Sequence, residues 1–433
     1  MIGYVIDLLY LCFVIFYANS DVEHAVKFLI VVCFFQNFIL CIFSPYMWQN
    51  TFSIFILLKE IYVLLYIIFC IIKRRYKINL FQLYCCVVIL IFITMTFITG
   101  SGMLKTRLSC LRQLYLPFIF YLFGSVSKIS IDKIKNILKF YTLVSVVAAI
   151  FGFIEIALGN KLWDKLNIVS YCANKGIVST TAFYNGLPGN FYSFDLPFLP
   201  NKQRMASFFV DPVICGQVLS LAFVIVVFGR DIFDNRIQRY IFGIILGIGV
   251  CLTLCKGGLI IAAFSFCILT RKVFGKKVLS NLMLVLGVIV VIVYIGFSLT
   301  KSLSTATHMN GLVSGFQALL KYPFGTGIGS AGNLSVEEGR TINIIGAESY
   351  IGSLMAQTGV VGLGINIYYF VYILKKSKKN LNNRNITIII ITLNLALGLT
   401  SLVNFTAISF TNCFMFIISI AMLHSLIIEK DGR

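Results

Sequence analysis

Long apolar segments alternate with short polar ones along almost the whole chain. Runs of about 20 apolar residues are the length that a helix needs to cross a bilayer. The pattern predicts about 12–13 transmembrane helices in a single membrane domain spanning 1–433. The predicted spans are about 2–18, 26–43, 51–72, 79–99, 111–127, 138–158, 207–229, 240–255, 257–270, 279–299, 347–373, 386–404 and 407–428.

Composition fixes the class of protein. Of the 433 residues, 59% are hydrophobic and only 12% are charged, whereas a soluble domain carries about 25% charged residues. The mean hydropathy is +0.93. The apolar runs are too long and too uniform for the strands of a membrane barrel. The sequence therefore predicts an all-α polytopic membrane protein whose environment is a lipid bilayer.

The net charge of +20 would suggest a nucleic-acid partner in a soluble protein. Here most of the lysines and arginines lie in short clusters between spans, which is the pattern of the positive-inside rule. The clusters predict a cytoplasmic C-terminus and no nucleic-acid partner. They also place two long loops, about 159–206 and about 300–346, on the outer face. Two topologies remain open: thirteen spans with an outer N-terminus, or twelve with an inner one.

Metal and cofactor chemistry finds no support in the sequence. The thirteen cysteines include no Cys-x-x-Cys pair, and only three histidines occur. Metal sites need such ligands in close clusters. We therefore expect neither a metal nor a cofactor.

The first candidate site is the stretch 204–213, where a polar loop returns to an apolar span. Arg204 lies just ahead of the span, and Asp211 and Pro212 lie a few residues inside it. A charge in a span is costly, and a proline removes a backbone donor. The pattern predicts a locally irregular helix. Asp211 could orient Arg204 or simply accompany the kink, and the sequence leaves both readings open.

A second cation, Lys256, precedes Gly257 in a tight turn between two predicted spans. The alternation of the clusters puts this turn on the outer face, where lysine is less common. Arginine binds two oxygens as a fork and lysine acts as a compact charge, so Arg204 and Lys256 together suit a diphosphate. The alternatives are an arginine that snorkels at a helix end and an ordinary turn lysine.

The second loop offers two candidate general bases, His308 and Glu348. A histidine on a loop can also be merely solvated, and a carboxylate at a helix start can simply complement the helix dipole. Residues 327–332 match the pattern Gly-x-Gly-x-x-Gly. No strand precedes them and no βαβ unit surrounds them, so a dinucleotide site is not expected. The glycines more simply allow sharp turns and close backbone packing against helices or a glycan.

Four motifs in order resemble a known family. They are Arg-x-x-Ser-Phe-Phe-x-x-Pro at 204–212, Lys-Gly-Gly at 256–258, Tyr-Pro-Phe-Gly-Thr-Gly-Ile-Gly at 322–329, and Glu-Ser-Tyr-Ile-Gly from 348. Their order and spacing resemble the O-antigen ligase and polymerase superfamily, and within it the Wzy-type polymerases of O-antigen and capsule. The resemblance covers about 200–365, and the N-terminal third is similar only as generic spans.

The resemblance implies a GT-C-like membrane glycosyltransferase in the bacterial inner membrane, with its active site on the periplasmic face. Its substrate would be an oligosaccharide repeat linked to undecaprenyl diphosphate, as in lipopolysaccharide or capsule synthesis. Arg204 and Lys256 would bind the diphosphate, and Glu348 would act on the acceptor hydroxyl, with His308 as the second candidate. Asp211, Pro212, Gly257 and Tyr350 are taken as supporting residues. Whether a chain-length regulator binds stays open.

The sequence departs from the family pattern in three places. Lys256 stands where the family often has arginine, and Glu348 stands where ligases tend to have a His-Asn pair. Thirdly, the spacing from Arg204 to Gly216 is one residue longer than in some polymerases.

Two alternatives to a polymerase are a ligase that transfers the glycan to another acceptor, and a transporter for lipid-linked sugars. A transporter is disfavoured because the two halves of the sequence are unlike, whereas transporters are commonly built from paired repeats.

Overall fold

The structure is a computed structural model that describes residues 2–74, 78–126, 129–176, 183–194, 201–275, 303–335, 345–378 and 384–431, together with 278 and 281. Its helices are α1 (Ile2–Ala18), α2 (Val22–Phe43), α3 (Gln49–Arg74), α4 (Leu80–Ile98), α5 (Leu104–Ser125), α6 (Ile131–Leu158), α7 (Asn160–Lys165), α8 (Ile168–Asn174), α9 (Pro212–Phe228), α10 (Arg236–Thr253), α11 (Lys256–Phe274), α12 (Leu303–Lys321), α13 (Tyr350–Lys378), α14 (Arg384–Val403) and α15 (Phe410–Asp431).

The strands are very short and form two antiparallel pairs. Strand β1 (Phe183–Tyr184) pairs with β2 (Leu187–Pro188), and β3 (Tyr192–Ser193) pairs with β4 (Lys202–Gln203). In the second pair Tyr192 lies opposite Gln203. The β3–β4 pair ends at Gln203, directly before Arg204.

The chain is an all-α polytopic membrane protein, as the sequence predicts. Seven of the described helices are long and apolar enough to cross a membrane. Each predicted span falls on a helix except 279–299, which lies almost entirely outside the described residues. The helix predicted from 138 begins earlier, at Ile131, because the Ser130 side chain accepts a hydrogen bond from the N–H of Lys133 and caps it.

The chain divides into two compact units. The first comprises Met1–Tyr76 and Val126–Ala262, and the second comprises Lys77–Ser125 and Ala263–Arg433. The division falls within α11.

In the first unit, the 3₁₀ turn Ser207–Phe209 is buried and contacts helices α2, α6 and α9. The ring of Phe208 stacks on Phe151 at 4.3 Å, and Phe209 lies 4.9 Å from Phe34. The Asn37 side chain donates to the carbonyl oxygen of Phe209 at 2.9 Å. The segment after Arg204 is thus part of the core of this unit.

The expected loop 159–206 is largely folded where the structure describes it. It contains α7, α8 and the four short strands. Trp163 is fully buried, with Phe191 at 5.3 Å in an edge-on arrangement, and Tyr171 is also buried. These three buried rings therefore contribute to the packing of the segment and not to an exposed surface.

In the second unit, α5 packs against α4 and α15, and α12 packs against α13. Helix α12 occupies part of the stretch expected as a loop at 300–346. Its contact with α13 is close, since a Cβ at Gly315 would lie 2.4 Å from the Cα of Gly352. A helix of moderate polarity is stabilised here by close packing, which a hydropathy pattern does not reveal.

Helix α13 is interrupted at Gly359, where φ is 61° and ψ is −148°. The backbone of residues 323–327 forms hydrogen bonds with the backbone groups of α13 around this interruption. The N–H groups of Thr326 and Gly327 donate to the carbonyl oxygens of Ala356 and Gln357 at 2.8 and 3.1 Å. The N–H of Val360 donates to the carbonyl oxygen of Pro323 at 2.8 Å. Irregular backbone in a membrane segment requires such compensation.

The glycines of this stretch therefore permit close backbone packing, as the sequence analysis expects. A Cβ at Gly327 would lie 1.9 Å from the carbonyl oxygen of Thr99, and one at Gly325 would lie 2.4 Å from that of Gln357. Both glycines have positive φ, 97° and 85°. The match to a nucleotide-binding pattern reflects this packing requirement.

Candidate functional site

Arg204 lies on an extended segment between β4 and the buried 3₁₀ turn. Its backbone N–H donates to the carbonyl oxygen of Phe191 at 2.7 Å. Its Nε donates to the carbonyl oxygen of Thr253 at 3.0 Å, and its Nη1 donates to that of Asn190 at 3.1 Å. Among the described residues these partners are neutral, and no carboxylate forms an ion pair with Arg204. The guanidinium is therefore a fixed, half-buried cation that forms no ion pair with a carboxylate among the described residues.

Asp211 is the N-cap of α9. Its Oδ1 accepts hydrogen bonds from the N–H groups of Val213 and Ile214 at 2.8 and 3.0 Å. Pro212 is the first helical residue, where a backbone donor is not needed and the fixed φ suits the helix. The prediction of an irregular helix at Asp211 and Pro212 is thus wrong, because α9 begins at Pro212 and does not bend there. The Asp211 side chain is engaged in capping.

Lys256 is the first residue of α11, immediately after Cys255. The N–H of Gly258 donates to the Cys255 Sγ at 3.3 Å, so the thiol helps to cap the helix. Burial raises the pKa of the Cys255 thiol, and the nearby charge of Arg204 opposes that shift. Arg204 therefore lies close to the residue that precedes Lys256.

The glycines beside Lys256 serve helix contact. A Cβ at Gly258 would lie 2.6 Å from the carbonyl oxygen of Gly216, and one at Gly216 would lie 2.2 Å from the Cβ of Cys255. Gly257 is buried as well. The first turns of α9 and α11 are consequently in direct contact. The absence of a side chain at Gly258 thus allows close approach of a helix.

Within the first unit the structure brings together Arg204, Asp211 and Lys256 around two neighbouring helix starts. Helix starts carry a partial positive charge. Asp211 offsets part of it at α9, whereas Lys256 adds to it at α11. The arrangement can bind an anion with two or more oxygens through a fork, a point charge and backbone dipoles.

Glu348 belongs to the second unit and lies in the turn before α13, with φ of 60°. It forms a reciprocal pair with Asn333. The N–H of Glu348 donates to the Asn333 Oδ1 at 2.9 Å, and the Asn333 Nδ2 donates to the Glu348 Oε1 at 3.0 Å. Helix α13 itself is capped by Ser349, whose Oγ accepts from the N–H of Gly352 at 3.0 Å. Glu348 is therefore not needed as the cap.

Tyr350 and His308 lie on helices α13 and α12. Tyr350 is buried, and it lines a small internal cavity of about 20 Å³ with Pro117, Asn366 and Tyr369. Its hydroxyl has no hydrogen-bond partner in the described part of the chain. His308 lies on α12 and not on a loop, and its side chain is outside the described residues.

Two residues with clear roles were missed from the sequence. One is Asn333, since nothing in the local sequence marks it as the partner of Glu348. Glu155 was passed over inside the span 138–158, although an acid in an apolar span is a functional candidate by default. Its carboxylate is fully buried and binds the segment that carries Arg204.

Comparison of the sequence with models of known protein families gave no match, and comparison with curated proteins gave no significant match.

Proposed function

We propose that this protein polymerises undecaprenyl-diphosphate-linked oligosaccharide repeats into O-antigen or capsular polysaccharide. It does so as a metal-independent glycosyltransferase of the GT-C type. The enzyme lies in a bacterial inner membrane, and transfer takes place on the periplasmic face.

The observation that carries the proposal is the placement of Arg204. Its guanidinium bonds to the carbonyl oxygen of Thr253 at 3.0 Å, three positions before Lys256 at the start of α11. A fixed cation without an acidic partner in the described residues, next to a second cation and a helix start, suits a leaving group that develops negative charge. A diphosphate has this property, and the motif order points to a lipid diphosphate.

In the proposed reaction the hydroxyl oxygen of the acceptor sugar attacks the anomeric carbon of the growing chain. The bond from that carbon to the diphosphate oxygen breaks, and undecaprenyl diphosphate leaves with the electron pair. Arg204 and Lys256 stabilise the charge on the leaving group. The hydroxyl proton passes to a general base and then to solvent.

Glu348 is the residue to which we assign the base. Asn333 fixes one of its carboxylate oxygens at 3.0 Å and its backbone N–H at 2.9 Å. A general base is effective when its orientation is fixed before the substrate arrives. The backbone of Glu348 is in the left-handed region, which costs energy and is common at functional sites.

Deletion of the gene, followed by display of the surface glycan on a gel, tests the proposal. Loss of a polymerase leaves one repeat unit on each anchor. Loss of a ligase leaves no glycan on the anchor, while lipid-linked polymer accumulates. A normal ladder contradicts both enzyme functions.

Single substitutions test the site directly. Arg204→Ala and Lys256→Ala are each expected to abolish chain extension while the protein still inserts into the membrane. Arg204→Lys should restore only part of the activity, because a lysine lacks the guanidinium fork. Lys202→Ala is the matched control, since Lys202 is exposed two residues before Arg204. Full extension by Arg204→Ala removes this residue from the proposed role.

A further inference from the structure

Glu155 is a fully buried acid near the end of α6. Among the described residues, the partners of its two carboxylate oxygens are all N–H donors. The N–H of Ala206 lies 3.1 Å from each oxygen, the N–H of Ser207 lies 2.6 Å from Oε2, and the Trp163 Nε1 lies 3.1 Å from Oε1. Such an environment suits an ionised carboxylate, which accepts hydrogen bonds and donates none.

The same face of α6 contacts the whole segment 205–207. The spacing of Ala148, Gly152 and Glu155 places them on one side of the helix. The Oγ of Ser207 donates to the carbonyl oxygen of Ala148 at 2.6 Å. Gly152 leaves room for Met205, because a Cβ at that position would lie 2.3 Å from the Met205 Sδ. Helix α6 therefore acts as a clamp on this segment.

The clamped segment has an unfavourable backbone conformation. Ser207 has φ of 52°, and Val210, three residues after the segment, has φ of 53°, a region that residues with side chains rarely adopt. Conformations of this kind persist only where the surroundings hold them. The hydrogen bond from the N–H of Ser207 to Glu155 provides such a restraint.

Arg204 directly precedes the clamped residues. Two carbonyl oxygens also bind the backbone here, since the N–H groups of Arg204 and Met205 donate to those of Phe191 and Leu252 at 2.7 and 3.0 Å. The backbone at Arg204 is thus held between two sets of contacts. Loss of either set would allow the guanidinium to shift.

We infer that Glu155 is the positioning residue of the diphosphate site: its buried carboxylate holds the backbone at 205–207 so that Arg204 presents its guanidinium in one place. The identity of the anion rests on the proposed function. Glu155 itself does not touch the substrate.

Glu155→Gln in the full-length protein tests this inference. The amide places an NH₂ group where a backbone N–H needs an acceptor, so the bonds to Ala206 and Ser207 weaken while the side-chain volume is retained. Two quantities are measured: hydrogen exchange at the amides of residues 206 and 207, and the affinity for undecaprenyl diphosphate by native mass spectrometry in detergent. We expect faster exchange confined to this segment and an affinity lower by about tenfold to a hundredfold, the range for loss of a bond to a charged group.

The matched control is Thr142→Val. Thr142 is equally buried on α6, but in the described part of the chain its hydroxyl bonds only to the carbonyl oxygen of Leu138 on the same helix. This variant should bind the lipid as the wild type does. Wild-type affinity in Glu155→Gln overturns the inference, and so does faster exchange throughout the first unit, since that marks a merely structural role. Failure of the wild-type protein to bind the lipid diphosphate instead refutes the proposed function, and the positioning role falls with it.

Discussion

Replacing Gly359 with alanine tests whether the interruption of α13 is built into the fold. At Gly359 φ is 61° and ψ is −148°, a region that is essentially restricted to glycine. A Cβ there would lie 2.1 Å from the carbonyl oxygen of Pro323 and 2.5 Å from the backbone N of Gly325. Both are backbone atoms, so no side-chain rotation relieves the clash.

The size of the effect follows from what alanine must disturb. Backbone strain at such a position costs roughly 1–3 kcal/mol. The clash also separates α13 from the stretch that makes the three hydrogen bonds of Thr326, Gly327 and Val360, each worth about 0.5–1.5 kcal/mol net. Together these terms predict a loss of about 3–7 kcal/mol in the free energy of unfolding.

Unfolding of the purified protein in detergent, followed by far-UV circular dichroism, measures this loss. Gly364→Ala is the matched control, because Gly364 lies on the same helix and a Cβ there meets nothing within 4 Å. The control should be as stable as the wild type or more stable by up to about 1 kcal/mol, since alanine favours a helix. Equal stability of the two variants would refute the interrupted helix.

Substitutions at three further residues have defined outcomes. Asp211→Ala should lower the free energy of unfolding by about 0.5–2 kcal/mol through loss of the N-cap. Asp211→Asn should retain both stability and chain extension. A stable Asp211→Asn variant that loses chain extension would show that the charge of Asp211 is itself required. Glu348→Gln should reduce the rate of extension by about 10²–10⁴-fold with unchanged thermal stability, and near-normal turnover would exclude Glu348 as the base. Asp21 is partly buried, which raises its pKa, but hydrogen bonds from Lys133 at 2.7 Å and from His24 outweigh this and hold the pKa below its usual range. A carboxyl with a depressed pKa stabilises the fold above its unfolded pKa of about 3.9, and this stabilisation is lost progressively as the pH falls below that value. Asp21→Asn should therefore lower Tm at pH 7 but progressively less below pH ~4. An equal decrease in Tm at pH 7 and below pH ~4 would contradict this.

The membrane spans could be predicted from the sequence because their signal is local. A run of apolar residues long enough to cross a bilayer is visible without knowledge of its neighbours. Helix α4 illustrates this, since Leu80–Ile98 nearly coincides with the predicted 79–99 and Asn79 provides a capping box with Gln82.

The interruption at Gly359 could not be predicted in the same way. It depends on hydrogen bonds with residues 30 or more positions earlier in the chain. In the sequence, Gly359 and Gly364 both simply lie within the apolar run 347–373. The pairing of Asn333 with Glu348 is hidden for a similar reason. Two residues that meet across an irregular loop can be separated by any number of positions in the sequence, so no spacing pattern predicts the contact.

Asp211 and Pro212 show that a local signal can also be misread. An acid followed by proline is typical of a helix start, with the acid as N-cap and the proline at the first turn. Interpreting the span by hydropathy alone placed the boundary at 207 and so put both residues inside it. The buried turn Ser207–Phe209 is apolar but is not part of α9.

Chain extension by the purified protein in liposomes tests the central claim most directly. The substrate is the lipid-linked oligosaccharide that accumulates in cells lacking the gene, and the products are resolved on a gel. We expect a ladder of repeat units with one undecaprenyl diphosphate released for each new glycosidic bond, and no ladder with Arg204→Ala. A wild-type protein that forms no ladder, or a ladder of normal length with Arg204→Ala, would contradict it.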